Sequence, residues 1–287
     1  MSTRQALRAL MNGEEPFIAA DCYSALTGRI VEHVGFKAAY MGGHATGMMH
    51  YAIPDNGVFT PTEMIEQAAR VAEAISIPLV VDADQAGESV ADVYRSVGRY
   101  ERVGVAGIHI EDEIAPKHSA YDGPLLPIAD MQARIAAAVE GRCDPDFVII
   151  VRTDELYSEG GGGTGSLEET IRRGIAYAEA GADAFLPTFA TEEQIPQIAA
   201  EVKIPIGMYG KITPGMQFSL FTGFGTAAAA RSHHELATYL LEHGELPPVA
   251  FGFPDKDILI NQGPYDGIVR MWAERTGRSV RATGSTT

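Results

Sequence analysis

Short apolar runs rich in β-branched residues alternate with longer amphipathic segments along most of this 287-residue chain, and that alternation limits the folds open to it. The runs are 17–20, 38–41, 78–82, 107–111, 147–152, 183–187, 204–208 and 218–223, read as strands. Between them lie helix-like stretches at 25–33, 61–75, 90–102, 129–140, 167–180, 192–201 and 227–243. Leu79-Val80-Val81 and Val148-Ile149-Ile150-Val151 are apolar throughout, as suits strands of a parallel sheet covered on both faces. Gly35, Gly104 and Gly181 close helices just before the next strand, the punctuation of repeated βα units. About eight such units fit the length, which favours a single TIM (β/α)8 barrel over a doubly wound sheet. A dinucleotide fold fares worse, because Ala20-Asp21-Cys22-Tyr23-Ser24 follows the first strand where a Gly-x-Gly-x-x-Gly turn would be needed. The expectation is a catalytic barrel over 1–246 with a C-terminal helical appendage over 247–287. That appendage has one helix near 265–276 and packs on the barrel or on a neighbouring subunit.

In the helix beginning after Glu88-Ser89, the spacing of Val90, Val93, Tyr94 and Val97 predicts an apolar stripe on one face. The Gly160–Gly163 run lacks the Gly-Lys-Ser/Thr ending of a phosphate loop and is expected to be a floppy βα loop. His233 and His234 are adjacent in a helix, so they face different ways and read as surface residues.

The charge balance narrows the function. There are 38 acidic residues against 22 basic ones, a formal net charge of −16. No basic run is present to neutralise phosphates, so a nucleic-acid partner is excluded. Cys22 and Cys143 are too far apart for a zinc-knuckle spacing and too few for a disulfide framework. The segment Met1–Gly13 is polar and helix-like rather than a secretory leader, and no apolar run is long enough to span a bilayer. These features lead to the expectation of a soluble, cytoplasmic protein without membrane partners. Taken alone, the negative charge also argues against an anionic substrate.

In a TIM barrel the reacting groups gather where strands end. Strand three ends in Asp82-Ala83-Asp84, two carboxylates that point to one side if the chain stays extended. Strand four ends in His109-Ile110-Glu111-Asp112-Glu113, strand five in Arg152-Thr153-Asp154, and strand two in Gly42-Gly43-His44. Acids crowded at neighbouring strand ends repel unless a cation lies among them, and hard oxygen ligands favour Mg²⁺ or Mn²⁺ over zinc. A lone Asp at a strand end is ordinarily a cap or a turn residue, so the argument rests on the combination. For Arg152, a structural ion pair competes with a place at the barrel mouth.

Several phrases together resemble the isocitrate lyase/phosphoenolpyruvate mutase superfamily. They are Ala38-Ala39-Tyr40-Met41-Gly42-Gly43, Ile53-Pro54-Asp55-Asn56-Gly57, Val80-Val81-Asp82-Ala83-Asp84, Ile110-Glu111-Asp112-Glu113 followed by Pro116-Lys117, and Ile150-Val151-Arg152-Thr153-Asp154. They occur in family order over about residues 6–210. The resemblance implies a Mg²⁺-dependent (or Mn²⁺-dependent) barrel handling small anionic α-oxo or α-hydroxy carboxylates through a metal-stabilised enolate. It makes Asp82, Asp84 and Glu111 the metal residues. It places Tyr40, Gly42, Gly43, His44, Asp55, Arg152 and Thr188 around the substrate. The catalytic candidates it implies are Arg152 and, on a mobile loop, Lys117, His118 and Ser119. By the same resemblance, subunits pair as homodimers or homotetramers with the C-terminal helix exchanged between them.

The departures from the family pattern are specific. Ser119 stands where isocitrate-type lyases carry an acid–base Cys, and an ordinary hydroxyl is a poor substitute for an ionisable thiol. Phosphonomutases have Lys-x-Asn-Ser on that loop; here Lys117 and Asp122-Gly123 remain but the Asn does not. Gln85-Ala86-Gly87 replaces Gly-Tyr-Gly, Thr188 stands where lyases often have Glu, and His44 replaces a Ser. The leading expectation is a C–C lyase or decarboxylase, the missing Cys favouring decarboxylation. A P–C bond enzyme (phosphonomutase or phosphonopyruvate hydrolase) and a non-catalytic carboxylate-binding barrel are the alternatives.

Overall fold

Eight parallel strands, ordered β6-β5-β4-β3-β2-β1-β8-β7, form the sheet of the computed structural model, which describes residues 1–120, 123–247, 259–260 and 262–279. The strands are β1 (Phe17–Asp21), β2 (Ala38–Met41), β3 (Leu79–Asp82), β4 (Gly107–Glu111), β5 (Val148–Thr153), β6 (Ala184–Pro187), β7 (Gly207–Tyr209) and β8 (Phe218–Phe221). A single bridge from Phe185 to Ile206 joins β6 to the residue preceding β7 and nearly closes the barrel. The expected TIM-type fold is therefore present. The seventh strand is shorter than the run 204–208 suggests. Pro205 has no N–H to donate, and its carbonyl accepts from Phe185 N at 2.9 Å just before the ladder with β8 begins.

The helices are α1 (Thr3–Met11), α2 (Ala25–Val34), α3 (Gly43–Tyr51), α4 (Pro61–Ala74), α5 (Val90–Arg102), α6 (Ile128–Gly141), α7 (Leu167–Glu179), α8 (Gln194–Glu201), α9 (Phe224–His243) and α10 (Gln262–Thr276). Ser24, Thr60 and Ser89 cap α2, α4 and α5 in capping boxes, which accounts for starts that match the sequence pattern. In α5 the buried face is Val93, Ser96, Val97 and Tyr100. Val90 and Tyr94 are exposed, so the stripe lies about one position round from the expected one. α3 follows a Gly-Gly pair and has no apolar period, and the sequence pattern did not reveal it. The chain divides into two units, Met1–His234 and Glu235–Thr287, with the division inside α9.

Two layers of apolar packing follow from strand alternation. Ala39, Met41, Leu79, Val81, Ile108, Ile149, Val151 and Phe185 face the helices. Ala38, Tyr40, Val80, Val148, Ile150, Leu186, Phe218 and Leu220 fill the barrel interior. The interior is sealed by α1, whose Leu7 and Met11 belong to that inner cluster. Gly107 makes room for it, since a Cβ there would lie 2.9 Å from Leu7 Cδ2 and 2.8 Å from the Val148 carbonyl. Arg8 ties α1 to Asp183 at 2.6 Å, and Arg4 ties it to Asp144 at 3.0 Å. Leu7→Ala is expected to cost about 2–5 kcal/mol of stability, because the rigid strand floor cannot collapse into the void. Urea unfolding measures it.

The glycine run before α7 is pinned rather than floppy. A Cβ on Gly163 would lie 2.4 Å from the Asp154 carbonyl and 2.3 Å from that of Glu155. Gly165 N donates to Glu155 O at 2.8 Å, and Thr164 N donates to Glu155 Oε1 at 3.0 Å. His233 and His234 are exposed, as expected. Among the described residues, no helix is long and apolar enough to cross a membrane.

Candidate active site

The C-terminal ends of β2 to β6 bring most of the expected residues into one polar mouth. Pairing sets Asp82 beside His109 and Glu111 beside Arg152, all facing inward by the same alternation. Asp82 is held by two backbone donors, Gly43 N on Oδ2 and Asp84 N on Oδ1, each at 3.0 Å. A Cβ on Gly43 would lie 3.2 Å from Asp82 Oδ2, so the glycine permits this close approach. Asp84 is not extended. Its φ of 48° turns the chain out of the strand, and the turn, rather than i, i+2 alternation, brings its carboxylate to that of Asp82. One carboxylate oxygen each from Asp82, Asp84 and Glu111 lies within 4.8 Å of the other two.

This donor set fits a hard divalent cation. Its members are all carboxylates, Asp82 and Glu111 are buried, and Glu111 Oε2 makes no aligned hydrogen bond beyond its ion pair with Arg152. Lys117 supplies the positive charge, with Nζ 2.5 Å from Asp84 Oδ1, 2.7 Å from Glu111 Oε1 and 3.9 Å from Asp55 Oδ1. Burial disfavours the ammonium, yet Glu111, Asp84 and Asp82 hold the Lys117 pKa well above its usual value. Burial also opposes the Asp82 charge, but His109, Lys117 and Arg152 keep that carboxyl well below the usual range. Asp84 is pushed up to about 7 by burial, reinforced by Asp82 and Glu111 against Lys117.

Arg152 anchors the other side. Its Nε and Nη2 each donate to Asp154 at 2.6 Å, and Nη1 lies 2.9 Å from Glu111 Oε2. Both readings of this residue therefore hold, since it is at the mouth and in an ion pair. Thr188 Oγ1 donates to Asp154 Oδ1 at 2.5 Å and to Thr153 O at 2.9 Å, steadying the carboxylate that steadies Arg152. Behind them, buried Asp112 accepts from Thr153 Oγ1 and Tyr177 OH at 2.7 Å and from Arg173 at 3.1 Å. Tyr40 OH is 3.0 Å from His109 Nε2, which lies 3.5 Å from Asp82 Oδ1.

Gly42 is the N-cap of α3 and has no capping side chain, so the start of that helix at Gly43 and His44 brings its positive end to the mouth. Asp55 and His118 meet at the rim, with Nδ1 3.0 Å from Asp55 O and 3.5 Å from Oδ2. Ser119 Oγ donates to the Pro116 carbonyl at 2.7 Å. Asp122 lies outside the described residues.

Three residues quoted at the strand ends were given no role of their own in the sequence reading: His109, Glu113 and Asp154. Strand parity could have found them, since His109 and Glu113 share a side with Glu111, and Asp154 with Arg152. Glu113, His118 and Asp154 form a second group of possible ligands. Arg152, at 2.6 Å from Asp154 and 3.7 Å from Glu113, already supplies its positive charge.

At the β1 end, Asp21 accepts from Gly223 N at 3.2 Å, while its buried Oδ1 has no partner. Burial, opposed by the Gly223 and Gly225 amides and His44, pushes its pKa up to about 6. The folded state therefore binds this proton more tightly than the unfolded chain, and stability falls as pH rises from about 4 to 6. Asp21→Asn is expected to unfold like the wild type at pH 4 and to be about 2–3 kcal/mol more stable at pH 7.5. Urea titrations at the two pH values measure this.

A β/α barrel whose strand ends gather three carboxylates, a buried Arg and a Lys is laid out as an enzyme for small anions rather than a scaffold. Residues 7–229 match the family described as phosphoenolpyruvate phosphomutase. The 2,3-dimethylmalate lyase of Eubacterium barkeri is 34% identical over 201 residues, 69% of this chain and 68% of that protein. An oxaloacetate decarboxylase of Rhodopseudomonas palustris (strain BisA53) is 35% identical over 209 residues, 72% of this chain and 70% of that protein. Phosphonopyruvate hydrolase in complex with oxalate and Mg²⁺ superposes with a TM-score of 0.80 at 27% identity, over 96% of this chain and 99% of that one. The chain belongs to the phosphoenolpyruvate phosphomutase family, within the isocitrate lyase/phosphoenolpyruvate mutase superfamily.

Proposed function

We propose that the protein is a divalent-metal-dependent lyase or decarboxylase that breaks a C–C bond beside the oxo or hydroxy carbon of a small dicarboxylate, through an enolate. The carrying observation is the Asp82–Asp84–Glu111 cluster flanked by two buried cations, Lys117 and Arg152. The dimethylmalate lyase and oxaloacetate decarboxylase relatives support the same chemistry. Asp82, Asp84 and Glu111 would hold Mg²⁺ or Mn²⁺, which when bound supplies Lewis-acid polarisation of the substrate oxygen. The His44 amide and the Arg152 guanidinium bind and orient the substrate carboxylate, while Gly43 lets the backbone pass close to the site and its amide holds Asp82. Tyr40, Gly42, Asp55 and Thr188 shape the pocket. Lys117 and its loop neutralise charge and exclude water, and Ser119 lies on that loop.

Mass spectrometry of oxaloacetate, 2-alkylmalates and 2-methylisocitrate, each incubated with and without Mg²⁺, tests the reading. Metal-dependent release of a 2-oxo acid or glyoxylate is expected. The likeness to phosphonopyruvate hydrolase favours a second reading, P–C cleavage, for which phosphorus NMR of phosphonopyruvate is the test. An unchanged phosphorus signal removes that reading, and binding without turnover in both panels favours a non-catalytic barrel.

A homodimer or homotetramer with α10 exchanged is part of the proposal, supported by the exposed Tyr265, Ile268, Val269 and Trp272 on that helix. Light scattering reads the mass. A cytoplasmic location accords with two free cysteines, Cys22 and Cys143.

A further inference from the structure

The segment that delivers Lys117 to the carboxylates sets His118 at their edge. His118 has a left-handed backbone, φ 49°, and its side chain meets Asp55 and Glu113 rather than the acids that Lys117 contacts. Its Nδ1 lies 3.0 Å from the Asp55 carbonyl, and a carbonyl only accepts, so Nδ1 carries a hydrogen. Nε2 is therefore the nitrogen whose proton is free to change. It lies 3.5 Å from Glu113 Oε2, too far for a settled hydrogen bond. That oxygen is buried, has no hydrogen-bond partner, and is 3.7 Å from Arg152 Nη2. The imidazole is about one-third exposed, so it reaches solvent on one side and the mouth on the other.

We propose that His118 is the catalytic proton donor and acceptor at the carbon that loses its carboxylate or acyl partner, with Asp55 and Glu113 orienting and polarising its ring. The assignment rests on the lyase or decarboxylase reading above and adds the identity of its acid–base group. In decarboxylation the C–C bond breaks, CO₂ leaves, and the electron pair stays on the substrate as an enolate. The proton on Nε2 then forms the new C–H bond, and the neutral ring takes a proton from solvent.

The groups facing the ring are Asp55 before α4, Glu113 after β4, Asp154 after β5 and the neighbouring Lys117. Contact with Asp55, reinforced by Glu113 and opposed by burial and Lys117, holds the His118 pKa above the usual imidazole value. The ring thus keeps its second proton to higher pH than an ordinary imidazole, as suits a donor.

Exchange of the C3 hydrogens of pyruvate or 2-oxobutanoate in D₂O with Mg²⁺, followed by proton NMR, isolates this step from the identity of the bond broken. Wild type is expected to accelerate exchange. His118→Ala is expected to slow it about 100-fold, with added imidazole restoring the rate in proportion to its concentration. Oxalate and Mg²⁺ affinities of that variant, read by calorimetry, are expected to match wild type. Glu113→Gln is expected to move the upper pH limb of exchange downward by about one unit. If His118→Ala exchanges as fast as wild type, or binds oxalate and Mg²⁺ normally without imidazole rescue, the assignment is overturned. If wild type exchanges nothing and turns over nothing in the substrate panel, the lyase reading fails and the assignment with it.

Discussion

Asp82→Ala is expected to lower metal-dependent turnover by about 10³-fold or more while leaving the protein folded. Gly43 N and Asp84 N hold the Asp82 oxygens in place, and surrounding cations keep the carboxyl ionised, so the donor is preorganised. Without it, two carboxylates remain, and metal affinity and substrate polarisation fall together. Some stability is lost as well, because the fold favours the Asp82 charge and Gly43 N and Asp84 N lose their acceptor, but relief of the repulsion from Asp84 and Glu111 offsets part of that loss. Calorimetric Mg²⁺ titration, turnover and a melting curve measured on one preparation separate these effects. A variant that keeps full metal-dependent activity would remove Asp82 from the metal site.

Arg152→Met is expected to act more strongly on stability, in addition to weakening binding. The guanidinium makes two 2.6 Å bonds to Asp154, which is fully buried, and lies 2.9 Å from Glu111 and 5.9 Å from the centre of the Tyr209 ring. Methionine fills much of the same volume but leaves the Asp154 carboxylate with the Thr188 hydroxyl as its remaining hydrogen-bond donor among the contacts described above. Breaking a buried pair from one side costs about 3–5 kcal/mol. Arg152→Lys should recover little of it, since a point ammonium cannot donate the fork of two parallel bonds. Urea unfolding of both variants at pH 7 measures the loss. Stabilities within 1 kcal/mol of wild type would contradict the geometry, on the scale expected for a buried pair.

The strands were legible because each covered run is continuously apolar, and Asp82, Glu111 and Arg152 could be located because such runs end abruptly in charge. Contacts set by distant segments were not legible. Asp84 reaches the cluster through a left-handed turn that its Asp-x-Asp spacing does not announce. Lys117 comes from a loop whose path depends on residues 55–57, one of which, Gly57, would hold a Cβ 2.9 Å from that of Ala115. α1 seals the barrel through Leu7 and Met11, but locally it shows only a polar amphipathic turn pattern. α3 was missed because its Gly42-Gly43 start is chosen for close backbone approach to Asp82, and propensity is sacrificed to that end.

The sheet has full ladders between every neighbouring pair except β6 and β7, which share one bridge. A ring stapled at one point is mechanically a hoop with a split in it. The hydrogen-bonded resistance to opening is weakest beside Phe185 and Ile206. The lips of that split carry Thr188 on one side and Tyr209 on the other, the two residues that flank Asp154 and Arg152. Opening of the hoop at that point would widen the mouth next to the guanidinium, while the carboxylate cluster sits on the fully laddered β3–β4 side. The scaffold keeps the carboxylate half stiff and leaves its compliance on the Arg152 side.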